Sequence, residues 1–199
     1  MSQRARNEPD AGWRGAKDEA LIDYLLRNRH TSPFEHCVLT FEVSAPIFVF
    51  RQWHRHRTWS YSEISARYSE LPEECYVPPP GQVTEQSTKN HQSRTDAPLP
   101  DWKVRSIRSL VSGANRAAFK AYRMMLKLGC PRELARTVLP LGTHSRMAAT
   151  VNLLNFLRFL ALRADEHAQY EIRVYAKAMT ELARAYYPRT LEAWDRHGL

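Results

Sequence analysis

The longest regular pattern in this chain is helical. Val104, Ile107, Val111, Ala114, Ala118, Ala121, Met125 and Leu128 recur at alternating spacings of three and four, which lines them along one stripe of an α-helix. Asp101 starts the pattern, and Gly129 and Pro131 end it, because glycine accepts a left-handed cap and proline cannot continue the ladder. The alanines in its middle predict that another backbone packs close. A second stripe of Ile172, Tyr175, Met179, Leu182 and Tyr186 predicts the C-terminal helix. Residues 151–162 are apolar nearly all round and predict a buried helix, while Ala20, Leu21, Tyr24 and Leu25 mark a short amphipathic one over 16–29.

Strand signals are fewer. Residues 38–43 are β-branched and aromatic, with polar Thr40 and Glu42 alternating, and predict a strand; residues 143–150 predict another. Pro46 suits a helix start running through Ile47, Phe48 and Phe50, which leaves Gln52 and Arg55 at its C-terminal end and the following residues in a loop. Six of the twelve prolines fall within 72–100, and 82–96 is polar apart from Val83, so this stretch reads as a mobile loop insertion. Residues 1–14 read as a disordered tail. The sum is an α+β, helix-dominated single domain over 15–199, with a small antiparallel sheet and no internal repeat.

With 199 residues the chain can bury a proper core. Its net charge of +8 is carried mostly by arginine, 23 of the 29 basic residues. Solubility alone does not require that bias; paired recognition of phosphate or carboxylate oxygens favours it. No run of eighteen apolar residues and no signal-peptide core is present, so the expectation is a soluble, cytoplasmic protein without a membrane partner. Cys37, Cys75 and Cys130 are far apart with no CxxC, which argues against a disulfide framework or a structural zinc site. His54 and His56 are two apart, with His30 and His36 near in sequence, but a metal needs a fixed ligand set with supporting partners. No metal is expected.

The candidate chemistry lies in residues 55–68. Arg55, Arg57 and Arg67, His56, three serines (Ser60, Ser62, Ser65) and the single carboxylate Glu63 crowd into fourteen positions with almost no aliphatic content. Such a donor-rich stretch suits a planar, polar, anionic ligand. The order Arg55-His56-Arg57, Ser60, Ser65, Arg67, Tyr68 resembles the signature of the flavin-dependent thymidylate synthases. Four further blocks carry the same resemblance in the right order. Upstream are His30-Thr31-Ser32-Pro33-Phe34-Glu35-His36, then Ala45-Pro46-Ile47-Phe48-Val49 leading to Arg51-Gln52-Trp53. Downstream are Ala135-Arg136-Thr137-Val138-Leu139-Pro140-Leu141 and the block from Leu162-Arg163 through Asp165-Glu166-His167 to Arg173.

The resemblance implies reductive methylation of dUMP to dTMP, with 5,10-methylenetetrahydrofolate as carbon donor, FAD as hydride carrier and NADPH as reductant. It also implies a homotetramer with active sites at subunit interfaces. Carried over by position, Gln52, Arg55, Glu63, Ile64, Ser65, Ala66, Arg67, Arg136 and Arg163 would surround dUMP. Ser32 (from a partner subunit), Arg55, His56, Arg57, Glu63, Asn152 and the backbone at Leu153 and Leu154 would meet FAD. Arg163 would be the catalytic group: it cannot act as a base near neutrality, but against the uracil edge it would favour the N3-deprotonated ring and a more nucleophilic C5. Read without the block, Arg163 is a helix-flanking arginine paired with Asp165 or Glu166. His30 and His56 would face flavin or folate, and His167 would be structural, on a helix. One position departs from the pattern. Six beyond Asn152, where the family often has a second flavin-contacting Asn, stands Arg158, which could reach an FAD phosphate or ribose; Asn155 is out of register.

Two other readings stand beside this one. Arg105, Arg108, Arg116, Lys120, Arg123 and Lys127 form a basic stripe on the long helix, as a nucleic-acid-binding module would carry, but the chain has no RNP, KH or zinc-finger pattern. A related flavoprotein acting on another nucleotide is the other.

Overall fold

The computed structural model describes residues 12–198; the part of the expected tail before Gly12 lies outside them. In chain order the elements are α1 (Ala16–Arg27), β1 (Val38–Pro46), α2 (Ile47–Trp53), β2 (Ser60–Glu63), β3 (Thr84–Gln86) and β4 (Arg94–Pro98). Then follow α3 (Asp101–Lys127), α4 (Arg132–Ala135), β5 (His144–Asn152), α5 (Leu153–Arg163), α6 (Tyr170–Arg184) and α7 (Pro188–His197). The helix-rich α+β class matches the sequence pattern. A three-stranded sheet has the order β1-β5-β2, and β3 and β4 form a separate antiparallel pair.

The described residues form two compact units. The first comprises those up to Glu42, His54–Tyr61 and Ala148 onward; the second comprises Val43–Trp53 and Ser62–Met147. The strands β1, β2 and β5 each run through both along the chain. Burial alternates along β5, with Ser145, Met147, Ala149 and Val151 inside, as the two-residue period of a strand requires.

In the first unit α5 is the spine. Leu153, Leu154, Phe156, Leu157, Phe159 and Leu160 are all buried, each worth about 1.5–3 kcal/mol relative to exposure. Asn152 caps the helix, its side-chain oxygen accepting from the Asn155 N–H at 2.9 Å, which satisfies one of the orphan donors of the first turn. The sequence pattern stopped at one C-terminal helix, whereas the chain adds α7. Its Thr190, Leu191 and Ala193 are buried, and Asp23 of α1 accepts from Arg196 at 2.7 Å and pairs with His197 at 2.9 Å. Arg196 first, then His197, hold the Asp23 carboxyl below the usual carboxylate range. His167, expected on a helix, sits in the turn between α5 and α6.

In the second unit α3 ends where the sequence predicts, with Gly129 at φ 84. Its inward face is rotated from the predicted stripe. Phe119 and Tyr122 are the fully buried side chains and form a small core with Ala135, while Ala114, Ala121 and Leu128 are exposed. Bulk decides the rotation: two aromatic rings bury more apolar area than three small or terminal residues. The segment 72–100, expected as a structureless loop, holds the β3–β4 pair with Thr84 opposite Pro98 and Gln86 opposite Arg94. Two of the six stripe cations on α3 are engaged within the unit: Arg123 pairs with Glu73, and Arg108 donates to the Pro78 carbonyl at 3.0 Å.

Candidate active site

In the first unit the residues after α2 are pinned by aromatic rings. Trp59 is buried and lies parallel to Tyr61 at 6.2 Å and tilted against Phe159 at 5.1 Å. The Tyr61 hydroxyl donates to the His56 carbonyl at 2.9 Å, and the Trp59 N–H donates to the same oxygen at 3.3 Å. With those rings held inward, Arg55, Arg57 and Thr58 point to solvent while His54 and His56 are half-buried. Arg55 and Arg57 make no ion pair among the described residues, so two guanidinium forks stand ready for an anion.

His56 faces inward for a definite partner. Its Nε2 accepts from the Arg163 Nε–H at 3.0 Å, and its ring meets Phe159 edge-on at 4.9 Å. Burial first, and the Arg163 charge second, push the His56 pKa down to about 4, so the ring is neutral at pH 7. Burial lowers the Arg163 pKa as well, yet a guanidinium keeps its proton. Asp165 turns back instead onto His167, accepting from its backbone N–H at 2.8 Å.

The start of α5 divides the expected flavin residues. Leu153 and Leu154 are buried, and the Leu153 N–H donates to the Cys37 carbonyl at 2.8 Å, so that backbone donor is already engaged. Asn152 spends its oxygen on Asn155, and Asn155 in turn accepts from Arg158 Nη1 at 3.3 Å. The residue that looked out of register therefore links the two candidates on one helix face. Ser32 opens the 3₁₀ turn Ser32–His36 and is exposed.

The second unit contains a concavity of about 360 Å³ that gathers five of the expected nucleotide residues: Glu63, Ile64, Ser65, Ala66 and Arg136. Glu63 ends β2, and the Ile64 N–H donates to the Arg146 carbonyl at 2.9 Å. The chain then turns tightly, with the Ser65 carbonyl accepting from the Tyr68 N–H at 3.0 Å. Opposite, Arg136 begins a 3₁₀ turn anchored by buried Ala135, and Pro140 and Leu141 supply an apolar wall. Arg67 does not line this space; its Nη2 lies 3.4 Å from a Glu133 oxygen, an exposed ion pair. Gln52 sits half-buried in the last turn of α2 and is not among the lining residues either. Sequence reasoning missed Ser145, Leu71 and Ile47 in the lining; for Ser145 the signal was available as an inward position of an alternating strand.

Comparison with known proteins decides the family. The family described as thymidylate synthase complementing protein matches residues 1–189. The flavin-dependent thymidylate synthase of Thermotoga neapolitana is 44% identical over 181 residues, covering 91% of this chain and 77% of that protein. The chain belongs to the flavin-dependent thymidylate synthase family. The Treponema pallidum member is 45% identical over 196 residues, covering 98% of this chain but 64% of that protein. The Wolbachia pipientis member is 46% identical over 184 residues, again with 64% of its length covered; the chain spans about two thirds of these relatives. Among solved structures, a UMP/dUMP methylase, PolB, from Streptomyces cacaoi bound with 5-Br dUMP superposes with a TM-score of 0.90 at 35% identity, covering 99% of this chain and 89% of that one.

Within this flavin-dependent thymidylate synthase fold the cysteines are poor nucleophiles. Burial pushes the Cys37 and Cys75 thiols up, opposite to the thiolate stabilisation that activation needs. Cys130 donates to the Pro131 carbonyl at 3.7 Å, and none of the three lines the 360 Å³ concavity. Under the thymidylate synthase activity proposed below, a Cys37→Ser, Cys75→Ser, Cys130→Ser triple variant is therefore expected to retain turnover within a fewfold, assayed by tritium release from 5-labelled dUMP. Complete loss in folded, FAD-loaded protein would require a covalent cysteine mechanism.

Proposed function

We propose that this chain acts in the cytoplasm in the reductive methylation of dUMP to dTMP, with 5,10-methylenetetrahydrofolate as carbon donor, FAD as hydride carrier and NADPH as reductant. The observation that carries the reading is the concavity lined by Glu63, Ile64, Ser65, Ala66 and Arg136. It offers a cation, a hydroxyl and a carboxylate against an apolar wall, which suits a nucleoside monophosphate: an anion at one end and a flat ring at the other. Arg136 and Ser65 hold the phosphate, each charged hydrogen bond contributing about 1.5–3 kcal/mol. Arg67 joins them by leaving Glu133, since an exposed ion pair is worth only about 0–1 kcal/mol. Gln52, Arg55 and Arg163 complete the nucleotide set, with Arg163 as the catalytic group that stabilises negative charge on the ring.

The residues present also fit a flavin dinucleotide. Arg55 and Arg57 are exposed cations without ion pairs among the described residues, as a pyrophosphate requires, and Asn152 keeps its amide nitrogen for donation because only its oxygen caps α5. Ser32, His56, Glu63 and the backbone at Leu154 complete this set, with Arg158 in place of a second amide; the engaged Leu153 N–H contributes only by position. When bound, the flavin supplies the hydride for reduction of the transferred carbon.

An oligomer follows from the same reading, a homotetramer in which these shares come from different subunits. Its support is a stripe on α3: Leu110, Ala114, Ala117, Ala121, Met124 and Leu128 are all exposed and recur at four and three, the spacing of a helix seam. Residues 15–199 then act as one family domain, with 72–100 as an insertion. Among the described residues no helix is long and apolar enough to cross a bilayer.

The test is direct. Apo-protein titrated with FAD is expected to quench flavin fluorescence at micromolar protein, and the loaded protein to release tritium from 5-labelled dUMP with NADPH and methylenetetrahydrofolate. Folded protein that leaves flavin fluorescence unchanged would remove the proposal.

A further inference from the structure

We propose that His56 is the positioning residue for Arg163: a neutral imidazole whose Nε2 accepts the Arg163 Nε–H and so sets the plane of the guanidinium. The contact spans 107 residues of sequence at 3.0 Å. Its purpose rests on the nucleotide reading above; its geometry does not.

Three features make the imidazole a fixed acceptor. Its carbonyl is held by the Tyr61 hydroxyl and the Trp59 N–H, and its ring is braced edge-on against Phe159. Accepting through Nε2 requires a lone pair there, so the ring proton must sit on Nδ1. Arg163 is the last residue of α5, on a side chain with several rotatable bonds. Fixing its Nε–H fixes the direction of both terminal nitrogens, which paired contact with a planar ligand needs. A neutral acceptor also costs the guanidinium none of its positive charge, whereas a carboxylate in the same place would cancel it.

The arrangement has an acid limit. Protonation would set N–H against N–H and cation against cation. The charged and titratable groups near His56 include Arg163 from α5 and Tyr61 from β2, with Arg55 and Arg57 flanking it in its own loop and His54 edge-on to Tyr61 at 4.8 Å. Burial pushes the Tyr61 hydroxyl up, so it stays a neutral donor. None of these groups favours a charged imidazole. Because the His56 pKa falls from an ordinary 6.5 to about 4 on folding, the stability the neutral imidazole contributes is fully present above about pH 6.5. Its contribution drains as pH falls toward about 4.

The experiment is long-range ¹H–¹⁵N spectroscopy of the full chain labelled at histidine nitrogen, with His56→Gln to identify the signal. An unprotonated Nε2, a protonated Nδ1 and no titration from pH 8 to 5.5 are expected. A protonated Nε2, or titration near 6.5, overturns the proposal whatever the activity. In parallel, His56→Leu is expected to lower kcat/KM for dUMP about 10- to 100-fold. His56→Gln, which carries an acceptor to the same place, should recover most of that loss at unchanged melting temperature. Equal loss in both variants overturns the positioning role. Wild-type turnover in Arg163→Lys, with Nε2 unprotonated and Nδ1 protonated in the unsubstituted chain, would leave the contact standing and remove only the nucleotide reading.

Discussion

Arg163→Lys is expected to lower kcat for dUMP by about 100- to 1000-fold, the usual cost of removing one donor aimed at developing charge. Lysine keeps the positive charge and much of the aliphatic stem. It loses the Nε–H that meets His56 at 3.0 Å and the planar fork that presents two parallel donors. The lost hydrogen bond should cost about 0.5–1.5 kcal/mol of stability, and a chain of this size then melts lower by a few degrees. Steady-state kinetics beside a thermal melt separates the two effects. Turnover at the wild-type rate would mean that Arg163 does no more than end a helix.

How much of this was legible in the sequence depends on what each element is made of. The helix α3 was readable because its ends carry chemistry, Asp101 at one and Gly129 and Pro131 at the other, and because its apolar positions keep a helical period. Its rotation was not, since the period fixes a face only to within the residues that compete for it, and Phe119 and Tyr122 win by size. The last helix, α7, buries only Thr190, Leu191 and Ala193 among polar neighbours, and its hold on α1 through Asp23 comes from the far end of the chain. The Ser60–Glu63 strand has no apolar run to announce it. The β3–β4 pair is supported by polar contacts, with the Gln86 amide donating to the carbonyls of His91 and Ser93 at 3.1 and 2.8 Å, so hydropathy could not reveal it.

The candidate site divides along the same line. Residues 63–66 were found as a group because they are contiguous within the block that carries the family resemblance, and the concavity keeps them together with Arg136. Partners distant in sequence were invisible: His56 for Arg163, Glu133 for Arg67, the Cys37 carbonyl for the Leu153 N–H. Asn155 was set aside for its register toward a ligand. Its actual work is to bond Asn152 and Arg158, which a ligand-centred pattern does not reveal.

Phe156→Ala should be the most destabilising single change among those considered, at about 3–5 kcal/mol. The side chain is fully buried, stacked on Phe41 at 5.4 Å and tilted against Trp59 at 6.5 Å. Truncation removes a large apolar transfer term and leaves a gap that α5, held by the Asn152 cap and by the Leu153 bond to Cys37, has little freedom to close. Phe159 is equally buried but touches His56, so its loss would mix packing with site geometry; Phe156 isolates packing. Tyr68→Ala supplies the control. That ring is 79% exposed, and removing it should move stability by no more than about 0.5 kcal/mol. Urea unfolding at matched protein concentration measures both, and for Phe156→Ala a fall in melting temperature of about 10 °C is expected. A loss below about 1 kcal/mol would mean that the α5 core repacks freely, and the rigid spine on which the His56–Arg163 contact depends would have to be given up.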